Sequence, residues 1–329
     1  MARALVLGAT GHIGAHVVRA LLAEGHQVRA AYRNERYLYL LEGLPIERVP
    51  VDLESLSGIE AALDGCDWVF HAAGYYPTLF DRPDQAVEQG IGVTRRLLQK
   101  IRQAKPSRVV FTSSAATIRR VAGRPVTEQD VEPWPLQSPR TRYSAVKIAM
   151  EQEALRVWQE GLPVVIVNPT LCIGEYDAHV FSGQAVLTYA KRHVPFYVDY
   201  QLNAVYTGDV GVGHVRAAQK GRLGERYLLA CRNLSLKELA DLAATAAGIQ
   251  PPRWRLPYAA VAAASFAAEV IGWMTRTKPF LPREAVRTVR VGQFLDGTKA
   301  VRELGMPQTP VEEAVKRAVG WFQQNGYLS

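Results

Sequence analysis

Short apolar runs alternate with helically spaced segments through the first half of the chain, and that alternation predicts the fold. ALVLG (4–8) is an apolar run, and residues 12–24 follow it with apolar positions at helical spacing. QVRAAYR (27–33), IERVPVD (46–52), DWVFHAAG (67–74), RVVFTSS (108–114) and LPVVIVNPT (162–170) read as further strands. Between them SLSGIEAAL, residues 84–104 and residues 141–160 read as helices. Strands that alternate with helices predict βαβ units and a parallel sheet, and a run such as VVIV predicts a strand buried on both faces. The fold class expected is α/β, with a doubly wound parallel sheet.

After Pro169 the pattern loosens. Residues 1–170 are expected to form one unit, to which pieces around 204–247 return: the strand RYLLA (226–230) and a helix from Ser235 to about Ala247. Residues 171–203 and 248–329 are expected mainly to build a smaller, discontinuous second part. YAAVAAASFAAEVIGWM (258–274) is almost wholly apolar. It falls short of the ~20 residues that a membrane span needs. A buried or partner-packing helix is the preferred reading, with peripheral membrane contact through this face as an alternative that nothing else in the sequence supports.

Composition adds bounds. The 329 residues are 48% hydrophobic and 21% charged, ordinary for a globular protein with a sizeable core. The MARALVLG start resembles no signal or transit peptide. Cys66, Cys172 and Cys231 are scattered, which suggests neither a disulfide framework nor a zinc site. A cytoplasmic location is expected. The net charge of +8 is spread along the chain without a basic, aromatic-interleaved stripe, so no nucleic-acid partner is expected, whereas an anionic small cofactor is compatible. The seven histidines do not cluster with carboxylates or cysteines, and no metal is predicted.

Candidate chemistry begins at GATGHIG, where Gly8, Gly11 and Gly14 lie between a strand and a helix. Glycines there permit a tight turn, close approach of backbone to a diphosphate, and close helix–strand packing. The helix N-terminus offers unpaired N–H groups to an anion. Gly8, Thr10, Gly11, His12, Ile13 and Gly14 are therefore candidate cofactor contacts. Alone, the motif is also compatible with a turn that binds nothing.

At the end of the second strand stands Arg33, with no acidic residue in the place that would take a ribose 2′-hydroxyl; that favours NADP, with NAD as the alternative. Asp52 and Leu53 at the third strand end, and Ala72, Ala73 and Gly74 at the fourth, complete the candidate cofactor wall. YSAVK puts Tyr143 and Lys147 four apart, on one helix face. A phenol near its usual pKa of ~10 is a poor acid–base group, and a neighbouring ammonium brings it toward working range. The strand ending in Ser113 and Ser114 can supply the hydroxyl that holds a carbonyl oxygen.

Taken in order, GATGHIG, VDL, HAAG, FTSS, YSAVK, VNPT and NAVYTGDVGVGH resemble the extended (atypical) short-chain dehydrogenases/reductases of the NAD-dependent epimerase/dehydratase superfamily. FLDGTKAVRELG and WFQQNG extend that likeness to nearly the whole chain. Within the family it is most similar to dihydroflavonol-reductase-like and hopanoid-associated sugar epimerase-like proteins. The resemblance implies a Rossmann-type nucleotide-binding unit and a substrate-binding C-terminal part. It also implies Tyr143 as proton donor and acceptor, and Lys147 as the group that lowers its pKa and holds the nicotinamide ribose. Ser114 would bind the carbonyl, Ser113 would line the nicotinamide site, and Pro169 and Thr170 would lie against the ring. A homodimer through residues 84–104 and 141–160 is a further family expectation.

Three departures matter. Gly90 stands where many members carry an asparagine. Leu171 and Ile173 replace the Asn and Tyr, and Leu202 and Asn203 the Arg, of sugar-nucleotide enzymes. The candidate substrate pocket is instead apolar and aromatic: Tyr75, Tyr76, Phe80, Leu171, Tyr197 and Tyr206, with Leu79, Tyr176, Phe196 and Tyr200 as further candidates and Val121–Arg140 as a lid or plain surface loop. The leading expectation is an NADPH-dependent reductase of a hydrophobic or aromatic ketone or aldehyde. The alternatives are redox-neutral nucleotide-sugar epimerase or dehydratase chemistry on tightly held NAD, and a non-catalytic NAD(P) sensor.

Overall fold

The computed structural model describes all residues except 76–82, 122, 134–140, 192–193, 276, 278–285, 287–291, 293 and 329. Tyr76, Leu79, Phe80 and most of the Pro-rich end of the Val121–Arg140 loop lie outside the described residues.

The chain runs β1 (Arg3–Leu7), α1 (His12–Ala23), β2 (Gln27–Tyr32), β3 (Glu47–Pro50), α2 (Ile59–Leu63), β4 (Trp68–His71), α3 (Pro83–Ala104), β5 (Arg108–Thr112), α4 (Arg142–Gln159) and β6 (Val164–Pro169). It continues with β7 (Leu171–Ile173), α5 (Gln184–Lys191), β8 (Phe196–Tyr197), β9 (Gln201–Tyr206), α6 (Thr207–Lys220), β10 (Arg226–Leu229) and β11 (Arg232–Ser235). The last elements are α7 (Leu236–Ala246), β12 (Trp254–Arg255), α8 (Tyr258–Thr275) and a helix over Val311–Gln324, here α9.

Seven strands form one sheet in the order β10-β6-β5-β4-β1-β2-β3, and every pairing in it is parallel. The order reverses between β1 and β4, and a ligand crevice opens at such a switch point, outside the C-terminal strand ends. β6 explains its own central place: all six of its residues, VVIVNP, are buried. On one face Val17, Val18 and Leu21 of α1 and Val210 and Val215 of α6 pack against Val6, Phe70 and Val167. On the other, Leu97, Leu98 and Ile101 of α3 and Val146, Met150 and Val157 of α4 pack against Leu5, Phe111 and Ile166. The molecule is thus a doubly wound, Rossmann-like α/β fold.

Beyond β6 a smaller sheet in the order β11-β9-β7 joins a third apolar cluster built from α5, α7 and α9. The helix from Ser235, read from sequence as returning to the main body, packs against α5 and α9 instead. Its start is fixed by a capping box, Ser235 with Glu238. The apolar helix α8 is not a buried one: only Val261, Ser265 and Gly272 of its residues are inaccessible.

Candidate active site

The glycine turn has the shape of a dinucleotide cradle. Gly8 sits at φ +81°, and a Cβ there would lie 2.8 Å from the Ala73 backbone; at Gly14 one would lie 2.1 Å from the Gly8 carbonyl oxygen. These two glycines let β1, β4 and α1 approach. Gly11 is less constrained by the protein, its Cβ meeting only the Gly8 oxygen at 3.2 Å. Gly11 is also the N-cap of α1, where no side chain caps the helix and no acidic residue stands in the first turn. The first N–H groups and the positive end of the helix dipole therefore suit a diphosphate. The residues present fit a nicotinamide dinucleotide. Arg33, exposed beyond β2, makes no hydrogen bond or ion pair among the described residues. Asp52 accepts the Glu54 N–H at 2.8 Å, a turn that holds its carboxyl below the usual range, with the opposite charge of Arg33 adding to the effect. Leu53 packs against the α3–α4 core, and Ala72 donates its N–H to the Leu7 carbonyl.

At the crevice, α4 presents Tyr143, Lys147 and Glu151 at i, i+4 and i+8, one face of one helix. Thr141 starts that helix by accepting the Ser144 N–H at 3.2 Å. Burial raises the Tyr143 pKa, and a hydrogen bond from Ser114 opposes it. Sequence reasoning assigned that opposing influence to Lys147. Here the Lys147 ammonium, 3% exposed and pushed down to about 8 by burial, is supported by the charge of Glu151. Ser114 is half-buried and also caps a short 3-10 turn by accepting the Ala116 N–H.

Glu151 is the largest omission of sequence reasoning. Its carboxylate, in a residue 2% exposed, accepts from Ser113 Oγ, from Thr117 Oγ1 at 3.0 Å, from Asn168 Nδ2 at 2.8 Å and from Arg226 Nε at 2.6 Å. Ser113, expected to line the nicotinamide site, is thus turned to Glu151 and buried. The spacing from Tyr143 and Lys147 was the available signal; the partners, 17 to 75 positions away, were not. Pro169 ends β6 buried, and Thr170 follows with its N–H on the Leu229 carbonyl at 3.2 Å.

Of the aromatic wall read in the sequence, Tyr76 and Phe80 lie outside the described residues. The ring beside Tyr143 is that of Phe181, centroids 6.2 Å apart, and Phe181 is 58% exposed. Its loop is fixed by Asp177, which is 1% exposed and accepts the N–H groups of Gly183 at 2.6 Å and Phe181 at 3.3 Å. His12, the first residue of α1, lies 3.8 Å from the Asp177 carboxylate through Nδ1 and bonds Thr207 Oγ1 at 2.9 Å through Nε2. Burial drives its pKa down to about 3, so it stays neutral. Tyr206 is engaged elsewhere: its hydroxyl donates to Glu175 at 3.1 Å and accepts from Arg317 at 3.2 Å, and its ring lies against His16. Leu171 belongs to the third apolar cluster, and Tyr197 has the Lys237 ammonium 5.5 Å from its ring. Tyr75 donates to Gln89 at 2.9 Å. Among the described residues no group of three or more His, Cys, Asp or Glu could hold a metal.

Comparison with known proteins agrees with this geometry. Residues 4–230 match the model of the NAD dependent epimerase/dehydratase family. The chain is 33% identical to a Synechocystis protein carrying the provisional name dihydroflavonol 4-reductase, over 98% of this chain and 95% of that one. It is 30% identical to sterol demethylase protein B of Methylococcus capsulatus, over 98% and 99% respectively. The crystal structure of a nucleoside-diphosphate-sugar epimerase from Pseudomonas aeruginosa superposes with a TM-score of 0.80 at 30% identity, covering 100% of this chain and 99% of that one. With its reversed seven-stranded sheet, its glycine cradle and its Tyr–Lys helix, the chain is an NAD(P)-dependent enzyme of the short-chain dehydrogenase/reductase type and belongs to the NAD-dependent epimerase/dehydratase family.

Proposed function

We propose that the protein is an NADPH-dependent reductase of the carbonyl group in a hydrophobic or aromatic ketone or aldehyde. The observation that carries this reading is Tyr143 itself: a half-buried phenol, hydrogen-bonded to Ser114, with the exposed ring of Phe181 beside it. Burial keeps Tyr143 protonated at neutral pH, the form in which a reduction needs it. Bound in the cradle, the reduced nicotinamide supplies hydride to the carbonyl carbon. Ser114 holds the carbonyl oxygen, and Tyr143 gives that oxygen its phenolic proton as negative charge develops. Ser114 then stabilises the phenolate left behind, and Lys147 would hold the nicotinamide ribose, as in the enzymes the chain resembles.

Two further observations support the finer choices. Arg33, exposed and unengaged where the adenosine ribose would lie, suits a 2′-phosphate. The positions where sugar-nucleotide enzymes carry polar diphosphate ligands are committed to the interior here. Leu202 is buried, Ile173 is fully buried, and Asn203 spends its amide on Asn233 and the Cys231 N–H. A diphosphate-sugar would find no partner at these places. A relative named for sterol demethylation supports an apolar substrate.

The test is a fluorescence titration of apo protein with NADPH and NADH, followed by a screen of apolar carbonyl compounds. Tenfold or stronger preference for NADPH, roughly the worth of one charge-assisted contact, is expected. Preference for NADH, or NAD that co-purifies and resists dialysis, would overturn the reading in favour of redox-neutral sugar-nucleotide chemistry.

A further inference from the structure

A surface helix normally buries one apolar stripe and shows water a charged one. Helix α8 (Tyr258–Thr275) does not. Its buried residues, Val261, Ser265 and Gly272, fall on one stripe at i, i+4 and i+11. Phe266, Val270, Trp273 and Met274, at i, i+4, i+7 and i+8, share the opposite side, with Ile271 at its margin. Trp273 and Met274 are 83% and 71% exposed, and Ile271 59%. Exposed alanines at 259, 260, 263, 264 and 267 continue this surface, and Glu269 is the helix's single charged residue. Eighteen residues make a rod about 27 Å long. Contiguous apolar surface of that extent marks a docking face.

The charge of the sequence on either side of the helix says what docks. Arg253 precedes it beside the exposed Trp254, as does Arg255, whose guanidinium is paired with Asp199 at 2.5 Å. In sequence, Arg276, Lys278, Arg283, Arg287 and Arg290 follow it against Glu284 alone. From 253 to 290 the chain carries seven basic and two acidic residues. We propose that α8 lies flat in the surface of an anionic phospholipid bilayer, its exposed apolar side at the boundary between headgroups and acyl chains. Trp273, on the exposed side near the helix end, suits the headgroup level. An apolar face flanked by basic residues is the pattern of interfacial helices. Pairing with a second copy across a two-fold axis would bring these basic flanks together, whereas anionic headgroups neutralise them. The stripe of Val261, Ser265 and Gly272 packed on the protein favours an interfacial placement over a span, although the helix is long and apolar enough to cross a membrane. The inference stands on the helix and is independent of the reaction proposed above.

The experiment is co-sedimentation of the full chain with vesicles of phosphatidylcholine alone and of phosphatidylcholine mixed with phosphatidylglycerol. Binding at least about tenfold tighter to the mixed vesicles, weakening as salt rises, is expected. Ile271→Glu combined with Met274→Glu should abolish it while leaving NADPH titration unchanged. Should that variant fail to fold, Trp273→Ala keeps the test open. The wild-type chain's tryptophan emission should be quenched by vesicles with brominated acyl chains, and less so in Trp273→Ala. Absence of binding to both vesicle types would overturn the proposal. So would an undiminished affinity in the substituted proteins, or a dimer in analytical ultracentrifugation that Ile271→Glu/Met274→Glu disperses without any vesicle binding.

Discussion

At Tyr143 two influences meet: burial favours the neutral phenol, and the Ser114 hydrogen bond favours the anion. Tyr143→Phe removes the transferable proton and little volume. Turnover should fall by about 10²–10⁴, with NADPH affinity within a factor of two or so, as steady-state rates and a cofactor titration would reveal. Lys147 gives the pH dependence its upper limb. Its ammonium, held at about 8 by burial, is charged below that pH, so kcat should decline as pH passes through 8. Stability moves the other way. The folded pKa lies below the unfolded value of 10.5, so the unfolded chain binds more protons between the two, and this residue's burden on the fold lightens as pH climbs from 8 toward 10.5. Glu151 acts at one remove, through the groups it fixes. Glu151→Gln exchanges an anion that accepts four hydrogen bonds for a neutral amide, and it removes the charge that supports the Lys147 ammonium. The alkaline limb should therefore shift to lower pH, a displacement that a purely structural defect would not produce. An unmoved limb in the pH–rate profile would count against the role.

At the level of elements, α3 and α4 show why a family residue is absent. Gly90 faces α4, and a Cβ there would stand 2.9 Å from Val146 Cγ1 and 3.6 Å from Tyr75 Cδ1. Gly90→Asn would restore the residue many relatives carry, yet it should cost about 1–3 kcal/mol through overpacking, measurable as a lowered denaturant midpoint without gain in activity. The loop carrying Phe181 depends likewise on Asp177. Asp177→Ala strands the Gly183 and Phe181 N–H groups; a KM increase of about tenfold for apolar carbonyl substrates is the expected reading, at a cost of roughly 1–3 kcal/mol. These elements also show what sequence could reveal. The seven parallel strands were legible because residues such as Val164–Val167 are buried on both faces and leave uninterrupted apolar runs. The Tyr143–Lys147 pair was legible because one helical turn fixes it locally. Glu151 and Phe181 were not, since what defines them comes from other elements: Asn168 on β6, Arg226 on β10, and Tyr143 itself. At α8 composition left burial and partner packing both open, and only the packing shows that the apolar side faces outward.

Across the whole molecule, buried neutral histidines govern acid sensitivity. Burial pushes His12, His16 and His71 down to about 3 and His214 to about 4. Below their unfolded value of 6.5 the unfolded chain takes up protons that the folded chain refuses, so stability is present above 6.5 and drains away as pH falls. Near pH 5.5 each contributes about 1 kcal/mol to that loss, which a series of urea melts between pH 7 and 5 would register. The core that shelters His12 and His16 has a further property. Its face of the large sheet is completed by Val210 and Val215 of α6, and finally by Ala300, Leu304 and Met306. A ribosome therefore releases the entire glycine cradle and all seven sheet strands while one side of that sheet still lacks its last cover. The nascent chain must carry that apolar surface until residues 300–306 emerge. Its yield in a cell is thus tied to the interval between synthesis of β10 and of residue 306, the period in which a holding chaperone has something to hold.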